Sequence, residues 1–167
     1  MFSQTVEYAL RVVVYLAGLN GHPATTKQIA ASTMVPEGYL AKVLQGLGRA
    51  GLIQSQRGLH GGSVLALSPD KLSVYDVIEA VQPIQRIRFC PLNLNSHGTK
   101  LCSLHRRLDD AMAMVERAFR ESSIADLLTQ EGSKPLCDVE TNGNGNGNGK
   151  EKMRASAPVG MTVSRKK

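Results

Sequence analysis

The residues best suited to chemistry are sulfur and imidazole donors. All three cysteines, Cys90, Cys102 and Cys137, lie beyond residue 89, and His105 follows Cys102 at a spacing of three. In a chain expected to be cytoplasmic, an odd cysteine count favours metal binding or redox chemistry over a structural disulfide. Cys-x11-Cys-x2-His, completed by one more nitrogen or carboxylate, carries the donors of a tetrahedral zinc site. The bland alternatives are small buried hydrophobes or a reversible disulfide for Cys90 and Cys102, and a surface side chain for His105 beside Arg106 and Arg107. Cys137 stands in a segment losing apolar character and is expected to be a thiol alone.

The second chemistry is cationic. The chain has 167 residues, a formal charge of +6 and a pI near 9.4. Residues 1 to 69 hold 5 Lys/Arg against 2 acids, residues 70 to 140 hold 9 against 11, and residues 141 to 167 hold 6 against 1. Most of the excess therefore belongs to the tail, and the informative part is the modest basic bias of the first third. A length of 167 suits one domain with appendages and excludes a large catalytic barrel. With no Trp and 3 Phe, the core must be aliphatic, and helical periodicity is the natural way to build it. No apolar run approaches the roughly 20 residues that span a bilayer, and Glu7 and Arg11 interrupt the stretch a signal peptide would need, so no membrane partner is expected.

These donors and cations need elements to position them. Val6, Ala9, Leu10, Val13 and Ala17 recur at helical spacing from Gln4 to Leu19, and Gly21 and Pro23 end that first helix. Thr25 to Gln28 reads as a capping box opening a short second helix that fades by Met34. Pro36 suits a first helical position, and Leu40, Val43, Leu44 and Leu47 mark the buried face of a third helix that Gly51 can terminate. The opposite stripe of that helix is Gly38, Lys42, Gln45 and Arg49. Ile53–Gln56 and Ser63–Leu67 read as two strands around a glycine-rich turn, Arg57 to Gly62. Ser73 caps a fourth helix carrying Val74, Val77, Ile78 and Val81, which ends near Pro83.

Periodicity is lost from Gln85 to Leu101, in a loop bracketed by Cys90 and Cys102. It returns from Ser103 to Glu121, where Leu104, Leu108, Ala111, Met112, Val115, Ala118 and Phe119 form a narrow seam along about 28 Å of helix at 1.5 Å per residue. Such a seam calls for a partner. The Asn-Gly repeat from Asn142 to Gly149 and the scattered basic residues after it have too little apolar content to offset the entropy of ordering. The fold expected is mostly α with a small β-hairpin wing: a winged helix-turn-helix over 1–83, a loop over 84–102, a long dimerisation helix and short C-terminal helix over 103–128, and a disordered basic tail over 129–167.

The order of these elements, with Glu7-Tyr-Ala-Leu-Arg11, Gly38-Tyr-Leu40, Ala50-Gly-Leu52, Arg57-Gly-x-x-Gly-Gly62 and Asp76-Val-Ile-Glu-Ala, resembles the Rrf-type family of bacterial winged-helix transcription regulators. The resemblance covers Met1 to about Leu128. It implies a homodimer joined along the long helix, binding a double-stranded DNA operator with the third helix in a major groove and the wing in the adjacent minor groove. Tyr39 and Lys42 are the expected groove contacts, with Gln45 and Arg49 on the same stripe. Arg57 is expected to enter a narrow minor groove beside Gly61 and Gly62. The alternative for Lys42 and Arg49 is an ordinary solvated helix face.

Cluster-binding members of the family, of the IscR and NsrR types, place three cysteines at intervals of six in this loop. Here the outer places are Cys90 and Cys102, and the middle one is Ser96, a poor iron ligand. The resemblance offers three completing donors: His97 beside the vacant place, His105 as in IscR-type members, and Glu7 from the partner's first helix as in NsrR-type members. The preferred expectation is a 2Fe-2S cluster on Cys90, Cys102, His105 and Glu7 that makes DNA binding responsive to redox, nitric oxide or iron-sulfur status. Competing expectations are a zinc-bound or cluster-free regulator with a cysteine switch, and a metal or redox protein that binds no DNA. Glu7 and Arg11, at i and i+4, equally make a simple surface ion pair. His60 and Asp70 lack a nucleophile and base arrangement, and there is no glycine-rich phosphate loop, so an enzyme is not expected.

Overall fold

The structure, a computed structural model, describes residues 3–56, 58, 61–91 and 100–129. The expectations resting on Arg57, His60, Ser96, His97, Cys137 and the tail beyond Thr129 lie outside those residues.

Helix α1 (Gln4–Gly18) buries its apolar face with Val6, Ala9, Val12, Val13 and Ala17. It forms the spine against which α2 (Thr26–Thr33), α3 (Glu37–Arg49) and α4 (Val74–Val81) pack. The capping box at Thr25 is present: Gln28 N–H donates to Thr25 Oγ1 at 3.3 Å, and Thr25 N–H donates to Gln28 Oε1 at 2.8 Å. Pro36 stands one place earlier than expected, at the cap of α3, because its ψ of 135° is still extended. The end of α3 follows the glycine signal closely. Gly51 adopts φ +73°, its N–H bonds Gly48 O, and Leu52 N–H reaches back to Leu47 O at 3.0 Å. Leu40, Val43 and Leu47 are fully buried, and Leu44 lies at the margin of the core. Each full burial contributes about 1.5–3 kcal/mol.

Strands β1 (Ile53–Gln56) and β2 (Gly62–Leu65) pair antiparallel, with Ile53 opposite Leu65 and Gln56 opposite Gly62. The second strand is offset from the expected Ser63–Leu67. It starts earlier because Ser63 exchanges hydrogen bonds with Ala24 at 2.8 and 3.1 Å, drawing Gly62 into the ladder. It ends earlier because the chain turns after Ala66, through a single 3-10 turn at Pro69–Lys71, into the Ser73/Asp76 capping box of α4.

After α4 a linker leads to α5 (Ser103–Glu121). The chain then returns to the core: Val74 N–H donates to Ser122 O and Ile124 N–H to Leu72 O, at 2.9 and 2.8 Å. Helix α6 (Ile124–Thr129) inserts Ile124 and runs one residue beyond the 103–128 segment expected from the sequence. Helix α5 itself has no buried residue. Among the described residues no helix is long and apolar enough to cross a membrane.

Candidate metal centre and nucleic-acid face

Cys102 caps α5 and His105 sits three places on, so both project from the first turn on one face. His105 Nδ1 lies 3.1 Å from Cys102 Sγ and 3.5 Å from Cys90 Sγ, and all three donor atoms fall within 4.8 Å of one another. Cys90 is buried at 8% exposure and reaches the group from the linker. The Cys102 thiol is pulled down to about 7 by the backbone N–H of His105, helped by contacts to the His105 and Cys90 side chains and the Leu104 N–H, while burial opposes the shift. A thiol with that pKa is roughly half thiolate at neutral pH, the form that attacks electrophiles and binds metals.

A clamp one turn further along α5 fixes the linker. Arg86 makes a two-pronged pair with Asp109, Nε to Oδ1 and Nη2 to Oδ2, each at 2.7 Å, and Ile87 N–H adds a third bond to Asp109 Oδ1 at 2.9 Å. The Arg86 guanidinium holds the Asp109 carboxyl below its usual range. Arg86 also reaches Glu116 at 3.4 Å. Glu116 in turn binds Arg120, whose guanidinium lies 3.6 Å above the Tyr75 ring of α4. Linker, α4 and α5 are thereby tied together on the side that carries the centre.

Four tetrahedral bonds of about 2.3 Å to sulfur and 2.0–2.1 Å to nitrogen put neighbouring donors about 3.6–3.8 Å apart. Two sides of the observed triangle, 3.1 and 3.5 Å, are close to that, and the third is no longer than 4.8 Å. A 2Fe-2S cluster instead divides four terminal donors into two pairs, and donors on opposite irons stand roughly 5–7 Å apart. The described donors are gathered closely enough for a single ion, and sharing them between two irons would need them to spread further apart than they stand. Glu7 does not join the set within the chain: it is exposed on α1 and lies 3.9 Å from Arg11, the ion pair that its spacing allows.

The other expected site is a surface. Tyr39, Lys42, Gln45 and Arg49 are all exposed on α3. Tyr39 also leans on Tyr8, ring edge to ring face, with centroids 5.9 Å apart, which fixes its direction. Lys42, Gln45 and Arg49 border a crevice shared with Thr5 of α1 and Glu79 of α4. Gly61 N–H closes the wing turn onto Gly58 O at 2.9 Å. Gly62 has a structural duty that its place in the wing motif did not announce: a Cβ there would stand 2.5 Å from Ala24 O. Sequence reasoning also missed Arg86, Asp109, Glu116, Arg120 and Tyr75, whose pairings cross up to 45 positions, read from Tyr75 to Arg120.

The third feature is a groove of about 700 Å³ between the linker and α5, lined by Pro83, Ile84 and Ile87 on one side and by Leu108, Met112 and Val115 on the other. Leu104, Leu108 and Met114 on α5 are exposed at 61%, 47% and 66%.

Comparison with known proteins locates the same architecture elsewhere. The family described as Rrf2, iron-dependent transcriptional regulator, matches residues 2–130. A transcriptional regulator of the helix-turn-helix type named NsrR, from Geobacillus kaustophilus (strain HTA426), is 32% identical over 133 residues, covering 76% of this chain and 88% of the relative. Among solved structures, CymR, the global cysteine regulator of B. subtilis, superposes with a TM-score of 0.63 at 25% identity, covering 76% of this chain and 95% of its own. IscR of T. potens superposes at 0.62 and 25% identity, covering 77% and 85%.

Proposed function

This chain belongs to the Rrf2 family of transcriptional regulators, and from that premise we propose that it is a homodimeric, cytoplasmic DNA-binding repressor whose operator affinity follows the state of the Cys90–Cys102–His105 centre. The observation that carries the reading is the location of the centre. Cys90 comes from the linker that continues α4, whereas Cys102 and His105 open α5. Whatever engages all three groups joins the helix-turn-helix to the helix with the uncovered seam.

Two copies pairing along that seam bury the exposed leucines and methionines of α5 and present two α3 helices to successive major grooves. Lys42 and Arg49 supply phosphate or base contacts, Tyr39 and Gln45 flank them, and the wing with Arg57, Gly61 and Gly62 follows the minor groove. Movement of the linker reaches α3 through α4, which crosses α3 closely: a Cβ on Gly46 would meet Ala80 O and Val81 Cγ1 at 3.4 Å. A shift of 1–3 kcal/mol between the two states is enough for a useful switch.

A 2Fe-2S cluster reporting redox, nitric oxide or iron-sulfur status draws its support from relatives named NsrR and IscR, but not from the three-donor geometry. A cluster-free cysteine switch is the second reading, favoured by the likeness to a global cysteine regulator and by the lowered Cys102 thiol. The regulator reading is tested by fluorescence anisotropy on a duplex of its own upstream promoter. Affinity is expected to fall steeply with salt, and Lys42→Glu with Arg49→Glu to remove specific binding. Promoter affinity indifferent to salt and to both substitutions would overturn it.

A further inference from the structure

We propose that the side-chain ladder of Arg86, Asp109, Glu116, Arg120 and Tyr75 fixes the crossing of α5 on α4 and thereby selects operators by the distance between their two half-sites. The inference rests on the dimeric DNA-binding reading above and names the positioning residues that set which spacing the dimer accepts.

Helix α5 is attached to the head at two points. Its C-terminal end is a backbone joint: Val74 N–H donates to Ser122 O, Ile124 N–H donates to Leu72 O, and Phe119 packs against the core beside them. A joint at one end leaves a helix free to swing about it. The ladder is the second point, and it sets the direction. Asp109, Glu116 and Arg120 stand seven and four places apart, so they form one row along α5, beside the apolar seam and not in it. Asp109 grips Arg86 of the linker through two bonds of 2.7 Å, and Glu116 holds it at 3.4 Å. Glu116 also steers Arg120, whose guanidinium lies 3.6 Å over the ring of Tyr75 on α4.

The chemistry of these contacts favours direction over strength. Partly exposed ion pairs add little to stability, but a planar guanidinium held by two parallel N–H groups, or stacked on a ring, admits one orientation where an ammonium admits many. Leverage turns direction into distance. The thirteen positions from Asp109 to Ser122 make an arm of about 20 Å, so a swing of about 10° carries its end by about 3.5 Å, close to the ~3.4 Å rise of one base pair. Helix α4 packs on α3, so the setting reaches the recognition helix. In a dimer joined along the seam both heads share the same crossing, and half-sites must match it to about one base pair.

The test uses the full chain and duplexes from its own upstream promoter, with one or two base pairs inserted or deleted at the centre of the site that the wild-type protein protects in a footprint. Wild-type affinity should fall at least about tenfold for each base pair of altered spacing. Arg86→Lys with Arg120→Lys keeps both charges and removes both planar groups. That double variant should discriminate by about threefold or less, with the wild-type dimer in sedimentation equilibrium and wild-type helix content in circular dichroism. Tyr75→Phe keeps the ring face and should keep the wild-type spacing profile, whereas Tyr75→Leu, a single change remote from the linker, should flatten it. Wild-type discrimination in both the double variant and Tyr75→Leu would overturn the proposal, as would an equal loss of affinity at every spacing. A wild-type chain that is monomeric, or that ignores spacing, would overturn the dimeric reading along with it.

Discussion

The N-terminal head and the long helix of this protein are built on opposite terms. In the head, α1, α2, α3 and α4 close around Val12, Val13, Ile29, Leu40 and Leu47, all essentially without exposure. Helix α5 runs 19 residues with none buried. The head buries its apolar residues against one another, whereas α5 keeps a periodic apolar stripe that the other described residues leave largely exposed. Under the pairing proposed above, the difference separates two kinds of stability: the first is independent of protein concentration, the second is not. It also explains why the Cys/His centre sits where it does, at the seam between a finished unit and an unfinished one.

The sharpest way to break this contrast is to remove volume from the finished side. Leu40→Ala is expected to cost about 2–5 kcal/mol in denaturant unfolding, with a midpoint that does not depend on protein concentration. Gly62→Ala comes next, at about 1–3 kcal/mol, since its Cβ collides with the Ala24 peptide; promoter affinity should fall with it as the wing moves. On α5, Leu108→Asp should leave the head folded by circular dichroism yet raise the dimer dissociation constant at least tenfold, about 1.4 kcal/mol, in analytical ultracentrifugation. If Leu108→Asp unfolded the whole chain, the head would not be the self-sufficient unit described.

Smaller effects sharpen the junction. The folded state holds the Asp109 carboxyl below its ordinary 3.8, so its contribution is fully present above that value and is lost as pH falls through the lowered one. Linker amides, Ile87 in particular, should therefore lose hydrogen-exchange protection below about pH 4, and Asp109→Asn should flatten that dependence. In metal-free protein, alkylation of Cys102 should rise with pH and level off above an inflection near 7, not near 9. An inflection at the ordinary thiol value would show that the helix N-terminus does not hold the thiolate.

Much of the head was readable because its signals are local. The Thr25/Gln28 box, the Ser73 cap and the glycine stop at Gly51 each join residues no more than five apart, so short-range geometry decides them. The α5 seam was readable for the same reason, being a periodicity of one helix. Ser63 was placed in a strand, but its pairing with Ala24, which set where that strand begins, joins segments 39 positions apart in sequence and left no local trace.

The sequence by itself determined the element order, the caps, the exposed stripe of Lys42, Gln45 and Arg49, and the presence of sulfur and imidazole donors around one loop. Tertiary structure alone decided that Cys90 meets His105 within 3.5 Å and that the three donors converge on one point. It also decided that Arg86 spans 23 positions to lock the linker against Asp109. Hydrogen bonds and periodicities within a turn or two are set by backbone geometry that every residue carries with it. Convergence of distant side chains depends on how the linker closes and what it packs against, and no spacing of residue types along a chain contains that distance.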